Sequence, residues 1–405
     1  MSNLHLLSPL GFRAAAVHAG IKSKKTGDVA VLVCEQPATA AAVFTTNRVF
    51  AAPIKIGRKH IARGALRGIA VNAGNANACT GKQGERDAIH MCELLAGQID
   101  CNPKEILPSS TGIIGRMLPM DKIEKGILAA CAQLGSSAEH ATQFTDAILT
   151  TDTRRKTAAV EFNVGKKKVR IAGCCKGSGM IGPRMSLAGP PHATMLAYLT
   201  TDAALCAEHL QAVLSEAAEQ SFNAVTVDDH MSTNDTAAIL ASGLSGAAID
   251  TSAAQRTFAQ AVREVCQSLA YQIAADGEGA TKVVRIEVSG AKDVASAKII
   301  ARAIANSPLV KTAMHGNDPN WGRIISAAGY SGATFDPNRC TLVLQGITVF
   351  RTGQLVKFDP AKVSKALSAT DVKVELQCGG GKSAATVWTC DLSKEYITIN
   401  ADYHT

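Results

Sequence analysis

Residues 169–202 read VRIAGCCKGSGMIGPRMSLAGPPHATMLAYLTTD, and the punctuation in this stretch decides between two fold classes. Gly177, Gly179 and Gly182 spell G-x-G-x-x-G after a strand-like run, which on paper is a dinucleotide fingerprint. That fingerprint requires a helix to start at once, so that its N-terminus can hold a pyrophosphate. Pro183 follows instead, then Gly189, Pro190 and Pro191, so no such helix can begin. The dinucleotide-binding reading is excluded. A second decoy, Gly381-Lys382-Ser383, ends like a phosphate loop, but Leu376 stands where the first glycine belongs.

Outward from this stretch, strands and helices alternate. TAAVEFNV and VRIAG, joined through Gly165 and Lys166 to Lys168, predict a hairpin over 157–172. Downstream, TMLAYLTTDAAL reads as an apolar helix opening at Thr194, and a second helix runs through EHLQAVLSEAAEQSF. Upstream, DVAVLVC (28–34) and GIAVNA (68–73) read as buried strands. Asp121 with Glu124 predicts a capped helix to about Leu134, and SAEHATQFTDAIL continues the helical region. Near the C-terminus, VVRIEVSG (283–290), CTLVLQG, VKVELQ, AATVWTC and EYITINA read as strands around an amphipathic helix, DVASAKIIARAIANS. The pattern predicts a mixed α/β (α+β) protein with a smaller C-terminal α/β unit beginning near residue 285.

Composition narrows the function classes. The chain has 405 residues, 46% hydrophobic and 19% charged, which is globular material and not a disordered, collagen-like or coiled-coil sequence. No apolar run reaches the ~18–20 residues of a spanning helix. The N-terminal stretch lacks a basic n-region and a continuous apolar h-region, so the expectation is a cytoplasmic protein with no membrane partner. The net charge of +8 comes from short basic runs without interleaved aromatics, at 4% of the chain, which argues against a nucleic-acid partner and fits an enzyme acting on small anions. Twelve cysteines include no C-x-x-C, and ten histidines are scattered, so neither a metal site nor a disulfide framework is expected. Buried free thiols and a reducing compartment fit that usage.

Two short segments carry candidate chemistry. Taken alone, Thr194 is a helix N-cap. The sharper reading is a nucleophile: if its hydroxyl attacks the Ala193 carbonyl and the Ala193–Thr194 bond breaks, Thr194 gains a free α-amine. That amine, with an ordinary pKa of ~7.7–8.0, can take the proton from the residue's own hydroxyl. PSSTGIIG, read as a loop, offers Thr111 and Gly112 as a hydroxyl and an unobstructed backbone N–H for an oxyanion. By spacing alone it is equally a simple turn after a strand.

The chain as a whole resembles the arginine-biosynthesis ornithine acetyltransferase family, glutamate N-acetyltransferases that cut themselves into α and β chains. The resemblance runs nearly end to end, through PATAAAVFTTNRVFAAP (37–53), VNAGNANACTGKQGE (71–85), SSTGIIGRMLPMDKI (109–123), ILTTDTRRK (148–156) and KGSGMIGP (176–183). It continues through ATMLAYLTTDA (193–203), STNDT (232–236), DGEGATK (276–282), DPNWGRI (318–324) and the terminal INADYHT.

The resemblance implies a layered DmpA/ornithine-acetyltransferase-like fold. Residues 1–193 would be the α chain, 194–284 the start of the β chain completing the body, and 285–405 a C-terminal α/β domain. It implies cleavage between Ala193 and Thr194, Thr194 as nucleophile, and Thr111 with Gly112 as oxyanion hole. Substrate contacts would fall on Thr150, Lys176, Thr194, Glu278, Asn400 and Thr405. The implied reaction moves the acetyl group from N2-acetyl-L-ornithine to L-glutamate, without metal or bound cofactor, in a cytoplasmic α2β2 heterotetramer. Some members also use acetyl-CoA as a co-substrate. An alternative of related fold is a self-processing aminopeptidase or amidase that passes the acyl group to water. In one place the sequence departs from the family pattern: Ser186 to His192 are inserted just before the scissile bond, and Ser186 is a rival nucleophile.

Overall fold

Two β-sheets carry the described residues. A computed structural model describes residues 4–23, 26–186 and 195–402. They fall into two compact units, one of residues up to 223 together with 230–269, the other of 224–229 and 270 onward.

In the first unit the order is β1 (Phe12–Val17), β2 (Val29–Phe44), α1 (Ala52–Ile61), β3 (Ala65–Asn75), α2 (Gly81–Ile99), β4 (Ile106–Ile113), α3 (Met120–Cys131), α4 (Ala138–Ile148), β5 (Lys156–Val164), β6 (Lys167–Lys176), β7 (Leu196–Thr201), α5 (Ala207–Glu219) and β8 (Thr236–Ala241). A long helix, α6 (Ser252–Ala275), follows. The strands form one sheet in the order β4-β3-β2-β8-β7-β6-β5, with β1 also paired to β2. β2 organises it. Its register breaks between Val33 and Ala38; the part before pairs with β1 and β3, and Thr39–Phe44 pairs with β8.

Side-chain alternation then builds the layers, because successive residues of a strand face opposite ways. Ala30, Leu32 and Cys34 enter one core with Ala40, Ala42 and Phe44, with Tyr198 and Leu240, and with Phe144 and Ile148 of α4. Val29, Val31 and Val33 enter a second core with Met91 and Leu95 of α2 and Ile123 and Ile127 of α3. Each fully buried Leu, Ile or Phe contributes roughly 1.5–3 kcal/mol relative to exposure. These two cores fix which ends of β3, β4 and β6 meet.

The second unit contains β9 (Val283–Ala291), α7 (Val294–Asn306), α8 (Pro308–His315), α9 (Trp321–Gly329), β10 (Thr341–Leu344), β11 (Ile347–Arg351), β12 (Gln354–Leu355), α10 (Pro360–Leu367), β13 (Asp371–Gln377), β14 (Ser383–Cys390) and α11 (Lys394–Asp402). Its sheet runs β12-β11-β10-β13-β9-β14. Asp293 caps α7 by accepting the Ser296 N–H at 2.7 Å, and the helix buries Ala297, Ile300, Ala301 and Ile304 against Val284, Ile286 and Val374. The mixed α/β class read from the sequence is the class observed.

Four local expectations are corrected. TMLAYLTTDAAL is not a helix: Leu196–Thr201 is strand β7, paired with β6 on one side and β8 on the other and buried at every position. A short apolar run with no polar face suits a doubly covered strand, and periodicity cannot separate the two. The N-cap reading of Thr194 has no helix to cap. EYITINA is helix α11, started by Ser393, whose hydroxyl accepts the Glu395 N–H at 3.1 Å; its Ile/Thr alternation imitates a strand. PSSTGIIG belongs to strand β4 as far as Ile113 and is not a loop. The helix near Asp121 starts at Met120 and ends at Cys131; Pro119 precedes it, and Asp121 lies in the first turn without capping it.

Candidate active site

Two polar clusters of different chemistry occupy the first unit. One surrounds the ends of β3 and β4, which run parallel with Ala73 beside Thr111 and Gly74 beside Gly112. Gly112 has φ +131°, and a Cβ there would lie 2.3 Å from the Gly74 carbonyl carbon and 2.5 Å from the Asn75 nitrogen. Only glycine fits so close to neighbouring backbone. A lattice of neutral amides holds this crossing. Ser110 donates to Asn72 Oδ1 at 2.6 Å, and Asn72 Nδ2 donates to the Asn75 carbonyl at 2.9 Å. Asn75 Nδ2 in turn reaches the Met117 carbonyl at 3.0 Å. Asn234, from STNDT, donates to the carbonyls of Ala76 at 2.6 Å and Ser110 at 2.8 Å, immediately before Thr111. Asn72, Ser110, Thr111 and Asn234 are all buried.

The second cluster is ionic and forms where the segment after α4 meets the end of β6. The inaccessible side chain of Asp152 accepts the Lys156 ammonium at 2.6 Å, the Gly177 N–H at 2.6 Å and the Thr150 N–H at 3.1 Å. Burial pushes the Asp152 carboxyl up, but Lys176 and Lys156, with these hydrogen bonds, overcome it and hold the pKa at about 2. Lys176 ends β6 opposite Leu196 of β7, and its Nζ lies 3.4 Å from Thr111 Oγ1, so the two clusters meet at this pair. Lys22 adds a third ammonium nearby, donating to the carbonyls of Ala147 and Leu149; burial holds it down to about 8.

Asp235 is the other acid here. It precedes Thr236, whose N–H bonds to the Met195 carbonyl at the start of β7. Both carboxyl oxygens are buried without a hydrogen-bond partner among the described residues, and burial pushes its pKa well above the ordinary carboxylate range.

In the second unit, Glu278 and Asn400 meet: Asn400 Nδ2 donates to Glu278 Oε2 at 2.9 Å and to the Tyr396 carbonyl at 3.0 Å. Ser393 donates to the Gly279 carbonyl at 2.6 Å, so the turn carrying Glu278 is tied to the start of α11. Gly279 has φ +69°, and a Cβ there would meet the Tyr396 nitrogen at 2.5 Å.

Of the expected site residues, Thr111, Gly112, Thr150 and Lys176 are thus brought together in the first unit, and Glu278 with Asn400 in the second. Ala193, Thr194 and Thr405 lie outside the described residues, as does the inserted segment except for Ser186. Ser186 pairs with Phe44 through N–H to carbonyl bonds of 3.2 Å in both directions. Among the described residues no group of His, Cys, Asp and Glu could hold a metal ion, and no helix is long and apolar enough to cross a membrane. Sequence reasoning assigned no role to Asn72, Asn75, Asn234, Asp152 or Asp235. A usable signal existed for the first two, since VNAGNAN places several amides in and just beyond an otherwise apolar strand, where each must find a partner.

A family model described as the ArgJ family matches residues 13–405. A protein of Dehalococcoides mccartyi named arginine biosynthesis bifunctional protein ArgJ is 44% identical over 407 residues, covering 99% of this chain and 97% of the relative. A protein of the same name from Thermotoga neapolitana is 44% identical, covering 98% of this chain and 99% of its own length. Among solved structures, a chain of the ArgJ protein of Bacillus halodurans is 38% identical and covers 50% of this chain and 97% of its own, with a TM-score of 0.49.

Proposed function

This chain belongs to the ArgJ family and is an acetyltransferase of arginine biosynthesis, and from that premise we propose how its residues divide the reaction. Thr194 is the nucleophile, exposed as a new N-terminus by cleavage of the Ala193–Thr194 bond. Its hydroxyl attacks the acetyl carbonyl of N2-acetyl-L-ornithine while its α-amine takes the hydroxyl proton. The tetrahedral oxyanion is held by Thr111 and Gly112. As the oxyanion collapses, the C–N bond breaks, the α-amine returns the proton to the departing nitrogen, and ornithine leaves an acetyl ester on Thr194. The amine of L-glutamate then attacks that ester, its proton passes to the Thr194 α-amine and on to the released hydroxyl, and N-acetylglutamate departs. Lys176 suits the substrate carboxylate, Glu278 an ammonium group, and Thr150, Asn400 and Thr405 neutral hydrogen bonds.

The observation that carries this reading is the 3.4 Å approach of the Lys176 ammonium to the Thr111 hydroxyl, a carboxylate-binding group beside an oxyanion-binding one, both buried. Transfer between two amines is near thermoneutral, so the main demand on the site is to keep water from the acyl ester. We place the enzyme in the cytoplasm as an α2β2 assembly of cleaved chains, needing no metal or bound cofactor.

The test is formation of N-acetylglutamate from N2-acetylornithine and glutamate by the purified protein. Transfer well above hydrolysis at saturating glutamate is expected; acetate as the main product would favour the aminopeptidase or amidase reading. Incubation with acetyl-CoA and glutamate alone separates bifunctional from monofunctional behaviour, and the word bifunctional in the relatives' names leads us to expect acetylglutamate there too.

A further inference from the structure

We propose that Asp152 is the positioning residue for substrate-carboxylate recognition: it orients Lys176 and Thr150 together and sets the preference for a ligand that carries an α-carboxylate. The proposal rests on the reading that Lys176 and Thr150 contact the substrate. Asp152 itself touches neither substrate nor reacting atoms in that reading.

Three contacts support it. The carboxylate accepts the N–H of Thr150 and the N–H of Gly177, so one side chain fixes the backbone at one proposed substrate contact and directly after the other. Gly177 has φ +147°, and a Cβ there would meet Ile181 Cδ1 at 2.8 Å, so the chain leaves β6 by a path that few residues allow and the Asp152 bond pins it. Lys156, which opens β5 opposite Cys175, binds the same carboxylate, with both side chains essentially inaccessible. One carboxylate therefore serves two buried ammonium groups, Lys156 and Lys176, and Lys22 stands near. Lys176 in turn lies 3.4 Å from the hydroxyl of the proposed oxyanion residue Thr111. On the reading that Lys176 contacts substrate, its ammonium matches an amino-acid α-carboxylate in charge, and Asp152 acts on that contact through the backbone on either side of it.

A merely structural Asp152 would, on removal, weaken every ligand alike. A residue acting through Lys176 and Thr150 on the carboxylate would weaken only ligands that carry one. The test is calorimetric binding of L-ornithine and of L-ornithinamide, which lacks the negative charge, to the wild-type enzyme and to Asp152→Asn. Wild type should favour ornithine roughly 10- to 100-fold, the worth of one charge-assisted contact. Asp152→Asn should bring that ratio to within about threefold while ornithinamide binding changes little. Because Asp152→Asn removes the buried carboxylate that Lys156 pairs with and can unfold the protein, the double variant Asp152→Asn with Lys156→Met carries the same comparison. An unchanged ratio in either folded variant overturns the proposal. Failure of the wild type to bind ornithine or to transfer acetyl would instead refute the functional reading, and it is seen before any variant is made.

Discussion

The amide lattice around Thr111 and the ionic cluster around Asp152 lie within one unit, meet at one hydrogen bond, and are built on opposite principles. The lattice of Asn72, Asn75, Ser110 and Asn234 contains no group that titrates in the physiological range; it is a set of matched donors and carbonyls whose value is directional. The cluster of Asp152, Lys156 and Lys176 is a set of buried charges whose value is the field they produce. The difference suits the work proposed for each. An oxyanion hole needs donors placed to within tenths of an ångström, and a rigid neutral scaffold gives placement without drawing counterions. Recognition of a carboxylate gains from an ammonium held out of water, where its field is little screened.

Four expected outcomes would sharpen or break this contrast. The largest effect belongs to Gly112→Ala. The added Cβ meets backbone atoms of Gly74 and Asn75 and cannot rotate away, so a loss of about 4 kcal/mol in urea unfolding is expected, equal at pH 5 and pH 8. A loss under about 1 kcal/mol would mean that the crossing of β3 and β4 is not tight.

Asn234→Ala comes next. It orphans two buried carbonyls, of Ala76 and Ser110, and should lose about 3 kcal/mol, again without pH dependence. A marked pH dependence would show that the lattice is coupled to the charges and would dissolve the distinction.

The ionic cluster must behave otherwise. The folded pKa of Asp152, about 2, lies below the ordinary value of 3.8, so the unfolded chain binds more protons in that interval. The stabilisation is complete above the unfolded pKa and is lost as pH falls through the folded one. It amounts to about 2 kcal/mol between pH 5 and pH 2. In Asp152→Asn, or in the double variant with Lys156→Met, this share of the acid slope should vanish from unfolding curves measured across that range.

The smallest stability effect is expected for Glu278→Gln. The amide oxygen still accepts from Asn400, so unfolding should shift by no more than about 0.5 kcal/mol. Ornithine affinity should nevertheless fall about tenfold with the lost charge. Unchanged affinity would remove Glu278 from the proposed substrate contacts.

How far the sequence disclosed this structure depends on the type of signal. Val294–Asn306 was legible because apolar residues recur at helical spacing, and the structure adds an Asp293 cap. The hairpin of β5 and β6 was legible because its alternation breaks at a Gly-Lys turn. Leu196–Thr201 was not: in a strand covered on both faces and hydrogen-bonded at both edges, every position is apolar or buried, and no period survives. α11 was missed for the opposite reason, since most of its residues are exposed and no apolar stripe marks a face. The site divides in the same manner. Thr111 and Gly112 were offered by PSSTGIIG itself and Thr150 and Lys176 by resemblance, while the residues that hold them lie far apart in sequence. Asn234 is 124 residues from Ser110, and Asp152 is 25 from Gly177. No local pattern encodes such pairings; the bend of β2 and the order of the sheet create them.

The claim on which the rest depends is that Thr194 becomes a chain terminus. Intact mass with N-terminal sequencing of the purified, untagged protein tests it directly. The expected result is two chains, the second spanning 194–405 and beginning Thr194-Met195-Leu196. A single uncut chain of 405 residues, in a preparation that nonetheless transfers acetyl groups, would contradict it.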